Sequence, residues 1–378
     1  LQKPEIIKTV LLIVILLLPI LSFCQYGKQV IDSMVVRSSD SVKTKKLTFN
    51  GYPYAFYTPE TQAAIGAGGI FLFYTSNQSE GLRPSKVGFG AFYTTNKQYK
   101  FSVNPSIYFN SNKLVMHMPM SFGYAQDKFW GVGNETVETG TEEYFREDTG
   151  IQLEVQVPPL LFFSDRSGFI LDYKHTAIVD RKDNQFLIDE SVNGTQGGNL
   201  FGLGMNLIWD RRDNLFYPTS GHYQYIKFIA YTEPSDYTFT SFELDVRYFK
   251  SVFKKAVLAS NLYIKSISGN APFYELAALG GHQRMRGYFQ GRYRDKNYMT
   301  LQTEYRQYFT KRLGFVAFGG IGDVSNEITD LSLNDLKFSF GGGLRYLFNK
   351  KEHVNLRMDI GFGPHGHTGI YFGIEEAF

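Results

Sequence analysis

The chemistry-bearing residues of this 378-residue chain gather between Ala271 and Phe309, APFYELAALGGHQRMRGYFQGRYRDKNYMTLQTEYRQYF. A Gly- and Arg-rich stretch carrying Gly280-Gly281 and then Arg286-Gly287-Tyr288 runs into an alternating segment that contains Glu304. A guanidinium offers a planar fork of donors that matches a carboxylate. The pairing available here is therefore Arg286 with Glu304. In a confined space it would exceed the roughly 1 kcal/mol or less of a surface ion pair and would fix the loop in place.

Other chemistry is poorly supplied. The seven histidines show no Ser-His-acid or paired-carboxylate arrangement. His365 and His367 could share a face, but they flank a Gly-Pro turn and lack further metal ligands at suitable spacing. The clusters Gly66 to Gly69 and Gly341 to Gly343 lie inside strand patterns, where close packing or bends explain them better than a phosphate loop. We therefore expect no enzyme activity, no cofactor and no metal. Net charge is +3, from 39 basic and 36 acidic residues, with no long block of one sign, so no nucleic-acid footprint is expected.

The elements that position Arg286 and Glu304 must be strands. In Lys337 to Phe348, residues Phe338, Phe340, Leu344, Tyr346 and Phe348 fall on one face, against Lys337, Ser339, Gly341, Gly343 and Arg345 on the other. Val354 to Phe362 repeats the pattern, setting Asn355, Arg357 and Asp359 opposite the apolar set. In Tyr298 to Phe309, Met299, Leu301, Tyr305 and Phe309 form the apolar face, and Thr300, Gln302, Glu304 and Arg306 the polar one.

Many such strands, with 16% aromatic residues and 37 glycines, predict an all-β fold: a transmembrane antiparallel β-barrel of 16 strands, apolar outside and polar within, with one long loop folded inward. The expected strands are 46–57, 62–75, 85–95, 99–109, 113–124, 147–157, 168–179, 200–210, 220–231, 237–249, 254–266, 298–309, 314–323, 336–347, 353–362 and 367–378. The last places Thr368, Ile370, Phe372, Ile374 and Phe378 on the lipid side, ending like the assembly signal of bacterial outer-membrane barrels. The stretches 129–148, 180–198, 268–296 and 324–336 read as loops.

The first residues read as a secretory signal peptide over 1–24. Lys3 and Lys8 precede an apolar run from Val10 to Leu21, too short to span a membrane. Cys24, the only cysteine, leaves with it, and the bulky Phe23 disfavours a lipoprotein signal. A short periplasmic segment, 25–45, then precedes a barrel domain over 46–378.

Three motifs resemble the BamA and TamA outer-membrane assembly barrel superfamily, also called the bacterial surface antigen family. One is Asp210, Arg212, Asp213 and Asn214 followed by Pro218, Thr219 and Gly221, similar to the family's periplasmic D-x-R-x-N, P-T-x-G turn. The others are Gly280-Gly281 with Arg286-Gly287-Tyr288, and Glu304 in the next strand. The resemblance implies an integral outer-membrane barrel whose loop arginine is held by lumen acids.

Two departures stand out. The family's F-x-D-x-G strand reads Phe318-Gly319-Gly320-Ile321-Gly322 here, with glycine where the second acid belongs. Arg286 then relies on Glu304 alone, or on Glu243 or Asp245 across the lumen, since Asp323 points to the other face on regular alternation. There are also no recognisable POTRA repeats, so the match is to the stand-alone barrel subgroup. Insertion or translocation of outer-membrane proteins or lipids is the implied function, with membrane lipid, client proteins or accessory proteins as partners. A passive solute pore and a lipid or peptide hydrolase are the alternatives.

Overall fold

Strands dominate because apolar and polar residues alternate over runs of ten or more. Only a closed sheet lets each run turn one face outward and the other inward without leaving an edge. The computed structural model describes residues 47–75, 84–109, 112–158, 164–331, 335–350 and 353–378. The expected signal peptide and the segment after it lie outside the described residues.

The chain forms β1 (Thr48–Thr58), β2 (Gln62–Phe73), β3 (Ser85–Thr94), β4 (Tyr99–Phe109), β5 (Leu114–His117), β6 (Met120–Lys128), β7 (Glu143–Val157), β8 (Arg166–Asp180), β9 (Gly197–Asp210) and β10 (Gly221–Tyr231). There follow β11 (Phe239–Phe253), β12 (Ala256–Gly269), the short β13 (Ala277–Leu279) and β14 (Tyr293–Asp295), then β15 (Asn297–Tyr308), β16 (Leu313–Ser325), β17 (Lys337–Asn349), β18 (Val354–Phe362) and β19 (Thr368–Ile374). All but β13 and β14 join one antiparallel sheet, which closes where β1 meets β19. With β5 and β6 counted as one interrupted stave, the barrel has sixteen.

The interruption revises the expected strand at 113–124. Pro119 has no N–H for the ladder, so pairing to β4 breaks there and resumes after it. The Met118 N–H still donates to the Pro105 carbonyl at 3.1 Å. The expected loop 129–148 is also shorter, because β7 begins at Glu143. Arg146 and Asp148 line the interior, and charges in such positions look like loop when read along the chain.

Alternation sorts the side chains as expected in β17, where Phe338, Phe340, Leu344 and Phe348 are exposed outside while Ser339 and Arg345 are buried inside. The inner wall is not uniform. One row across five consecutive staves reads Gly68, Gly90, Ser102, Ser121 and Gly150, and the Tyr54 ring lies over its first two positions.

The end of the chain departs most from expectation. β19 stops at Ile374, Glu375 takes a left-handed conformation (φ 70°), and the last residues turn into the barrel. Phe378 is buried against Phe249 and Ala259 instead of facing outward. Its ring leaves the surface because Glu376 beside it finds Arg345 at 2.8 Å and the Asn355 amide at 2.7 Å inside. On the apolar outer face that carboxylate would have no partner.

Candidate functional site

The site is built from the loop between β12 and β15. The hairpin of β13 and β14 carries it inward, and Gly280 (φ 109°) forms the turn, where a Cβ would lie 2.2 Å from the Phe289 carbonyl oxygen. At the tip, Arg286-Gly287 lies directly on the backbone of β18. A Cβ on Gly361 would sit 2.5 Å from the Arg286 carbonyl carbon, and one on Gly287 (φ 114°) 2.7 Å from that of Phe362. Only glycine fits at both places. The Gly287 N–H donates to the Tyr371 hydroxyl at 3.0 Å, which in turn donates to the Tyr288 carbonyl at 3.4 Å. Gly281, also at positive φ (106°), donates its N–H to the same Tyr288 carbonyl at 3.1 Å.

Arg286 is 1% exposed and stacks on Phe318, its guanidinium carbon 3.6 Å from the ring centroid. One amino group donates to Glu304 and the other to Asp359 at 2.6 Å. The second acid is therefore Asp359 on β18, and neither Glu243 nor Asp245 pairs with Arg286. Glu243 pairs with Lys227 at 3.1 Å, and Asp245 with Arg247 and Arg284 at 2.7 and 3.0 Å. At the position where the family has its acid, Met285 lies over Gly320, so that a Cβ there would be 3.4 Å from the thioether sulfur. Asp323 is buried, and it accepts from the Asn134 amide rather than meeting Arg286.

These pairs extend into a closed ring. Glu304 is bound by Arg306 at 2.7 Å, Arg306 lies 3.9 Å from Glu376, Glu376 meets Arg345 at 2.8 Å, and Arg345 returns to Asp359 at 2.5 Å. Signs alternate around it, so each charge has two opposite neighbours. No side chain in the ring is more than 2% exposed. Such burial is tolerable only because the partners are mutual: removal of one would strand an unscreened charge.

Two further ties cross the lumen. Arg357 donates to the His282 carbonyl at 3.2 Å, and Lys174 meets Glu275 at 2.9 Å. Burial would raise the Glu275 carboxyl, yet Lys174 and Lys265 hold it below its ordinary range. Burial, with Arg357, Arg286 and Arg284 nearby, pushes the His282 imidazole down to about 4.

The turn motif sits at the opposite end of the barrel and closes on itself. Arg212 grips Asp210 through two contacts of 2.8 Å, and Asn214 accepts the N–H groups of Phe216 and Tyr217, each at 2.8 Å. Asp213 accepts from the Thr219 N–H at 2.8 Å and from its hydroxyl, and Gly221 takes φ 101°. Tyr217, next to Pro218, packs on Tyr308 with centroids 5.4 Å apart. Tyr308 donates to Asn355, which donates to Glu376, so the turn reaches the ring through two side chains.

Alternation already placed Arg306, Arg345 and Asp359 on inner faces, and that was the signal for their part in the ring. Glu376 had none, since continued alternation would put it outside.

A model of the Omp85 superfamily domain matches residues 70–378. Among solved structures, the chain is similar to BamA from Haemophilus ducreyi lacking POTRA domains 1–3, at 12% identity and TM-score 0.62, covering 87% of this chain and 70% of that one. It is also similar to CdiB from Acinetobacter baumannii, at 11% identity and TM-score 0.56, covering 86% of this chain and 59% of that one. CdiB from Escherichia coli gives 10% identity and TM-score 0.54, with 88% and 68% covered. A search of curated proteins found no match. A closed sixteen-stave barrel, an inward Arg-Gly-Tyr loop held by lumen acids, and a family match over most of the chain agree: this chain belongs to the Omp85 superfamily.

Proposed function

We propose that this protein is an integral barrel of the bacterial outer membrane that aids insertion or translocation of outer-membrane proteins or lipids at the seam between β1 and β19. In this reading the long loops face outward and the turn carrying Asp210 and Pro218 faces the periplasm. Client proteins, membrane lipid and accessory proteins are its partners.

The observation that carries the reading is the inequality of the two edges of β1. It is matched to β2 from Thr48↔Leu72 to Thr58↔Gln62, but among the described residues to β19 only at Tyr57↔Phe372. Each ladder hydrogen bond contributes about 0.5–1.5 kcal/mol net, so this junction is weaker than its neighbours by several such contributions. A strand edge left unpaired is a template for another strand. The inward loop supports the same reading over a passive pore, because it crosses the lumen from β18 to β8.

Depletion of the protein tests the proposal, read by quantitative proteomics and lipid analysis of the outer membrane. Loss of particular outer-membrane proteins or of lipid asymmetry is expected, and a Tyr57→Cys/Phe372→Cys disulfide should reproduce it until reduced. No change in either content would sink the reading. Large, steady conductance in planar bilayers, unaltered by Arg286→Ala, would favour the solute pore instead.

A further inference from the structure

The inward loop does not fill the barrel evenly. Between it and the wall of β3 to β7 lies a lumen compartment of about 490 Å³, bordered on the loop side by Arg284 and Arg294 and on the wall side by Lys100, Asp127 and Asp148, with Tyr274 adjoining. On β4 to β7, Ser102, Ser121 and Gly150 of the row described above keep this part of the wall low. Its volume falls within the roughly 300–1,000 Å³ of small-molecule sites.

The hydrogen-bonding balance of the lining is one-sided. Its acids are already engaged. Asp127 accepts from Tyr144 at 3.1 Å and the Lys128 N–H at 2.8 Å, and pairs with Arg294 at 3.3 Å. Asp148 accepts from Thr176 at 2.8 Å and meets Arg146 at 3.2 Å. Donors, by contrast, are left over. The Nε–H groups of Arg284 and Arg294 and the Tyr274 hydroxyl find no protein partner, although Arg294 and Tyr274 are only 5% and 8% exposed. Lys100 has no carboxylate partner among the described residues. Among the described lining residues no buried carboxylate or side-chain amide oxygen is left over in the same way.

Buried donors without acceptors are costly and rare, and a group that brings acceptor oxygens removes the cost. A surplus of cationic donors selects a negatively charged group over a neutral one. We propose that this compartment binds a phosphate-type oxyanion, held by Arg284, Arg294 and Tyr274 and neutralised by Lys100. The group is either free phosphate or the headgroup of a phospholipid. The proposal does not depend on the seam passing clients, since a barrel that inserts nothing would still carry the same donors.

The test uses the full chain, with two substitutions outside the buried ring: Lys100→Gln, which removes an unpaired charge, and Tyr274→Phe, which removes one hydroxyl and keeps the ring. Inorganic phosphate is titrated into detergent-solubilised protein and followed by phosphorus NMR. Phosphatidylglycerol retained from nanodiscs is counted by native mass spectrometry. Saturable phosphate binding, or one retained lipid without it, distinguishes the two sources. In either case each substitution should weaken binding about tenfold, as expected for loss of one contact to a charged group. Absence of saturable binding by both probes overturns the proposal, and so does binding unchanged in both variants while the folded barrel persists.

Discussion

The two sides of this barrel are built on opposite plans. The strands β15, β17 and β18 and the tail after β19 point charged side chains inward and tie them into a ring around Arg286. The strands β1 to β4 carry only two charged residues, Lys86 and Lys100, and their inner faces carry Gly, Ala and Ser with the aromatic rings of Tyr52, Tyr54, Phe56 and Phe92. The first arrangement costs desolvation and returns rigidity, because each charge is fixed by two others. The second contributes little beyond its ladders, and it borders the junction matched at one residue pair. Firmness and weakness are thus segregated: the loop is anchored on the side that holds, and the seam lies beside the side that gives.

That contrast can be broken most severely at the ring. Replacing Glu304 by Gln leaves two guanidinium groups short of a carboxylate inside the barrel, and should cost about 3–5 kcal/mol in denaturant unfolding of the purified protein. A loss below about 1 kcal/mol would mean that the ring is not the anchor it resembles. Paired glycine substitutions sharpen the comparison at a smaller scale. Gly361→Ala forces a methyl group to within 2.6 Å of the Arg286 carbonyl oxygen and should cost about 1–3 kcal/mol while exposing the loop to protease. Gly88→Ala, whose nearest neighbour would be 3.9 Å away, should change stability by no more than about 0.5 kcal/mol.

A further effect appears only in acid. The His282 imidazole is depressed to about 4 in the folded protein, below the ordinary 6.5 of the unfolded chain. Acid therefore favours unfolding: the contribution is complete above about 6.5 and is lost as pH falls toward 4. NMR titration should place the imidazole near 4, and His282→Asn should flatten the stability profile in that window while leaving it unchanged at neutral pH.

Much of this was legible in the residues themselves. Period-two alternation yielded a sixteen-strand barrel, and it aimed Glu304, Arg345, Arg357 and Asp359 inward, because a strand assigns faces from local order alone. Turn chemistry was equally readable, since Asp213 and Asn214 bond within their own loop. What failed was continuity. The strand through Pro119 was broken by a missing donor, and the expected final strand, 367–378, ended at Ile374.

The residues alone determined the staves, their inner and outer faces, and the loop carrying Arg286-Gly287-Tyr288, since each depends on neighbours within a few positions. Only the tertiary structure decided that Asp359 replaces the acid absent at Gly320, that Glu376 and Phe378 turn inward, and that β1 is matched in register to β19 at a single residue pair. The physical reason is shared. Each of these depends on which distant strands closure of the barrel brings face to face, and a buried charge takes whichever partner that closure supplies.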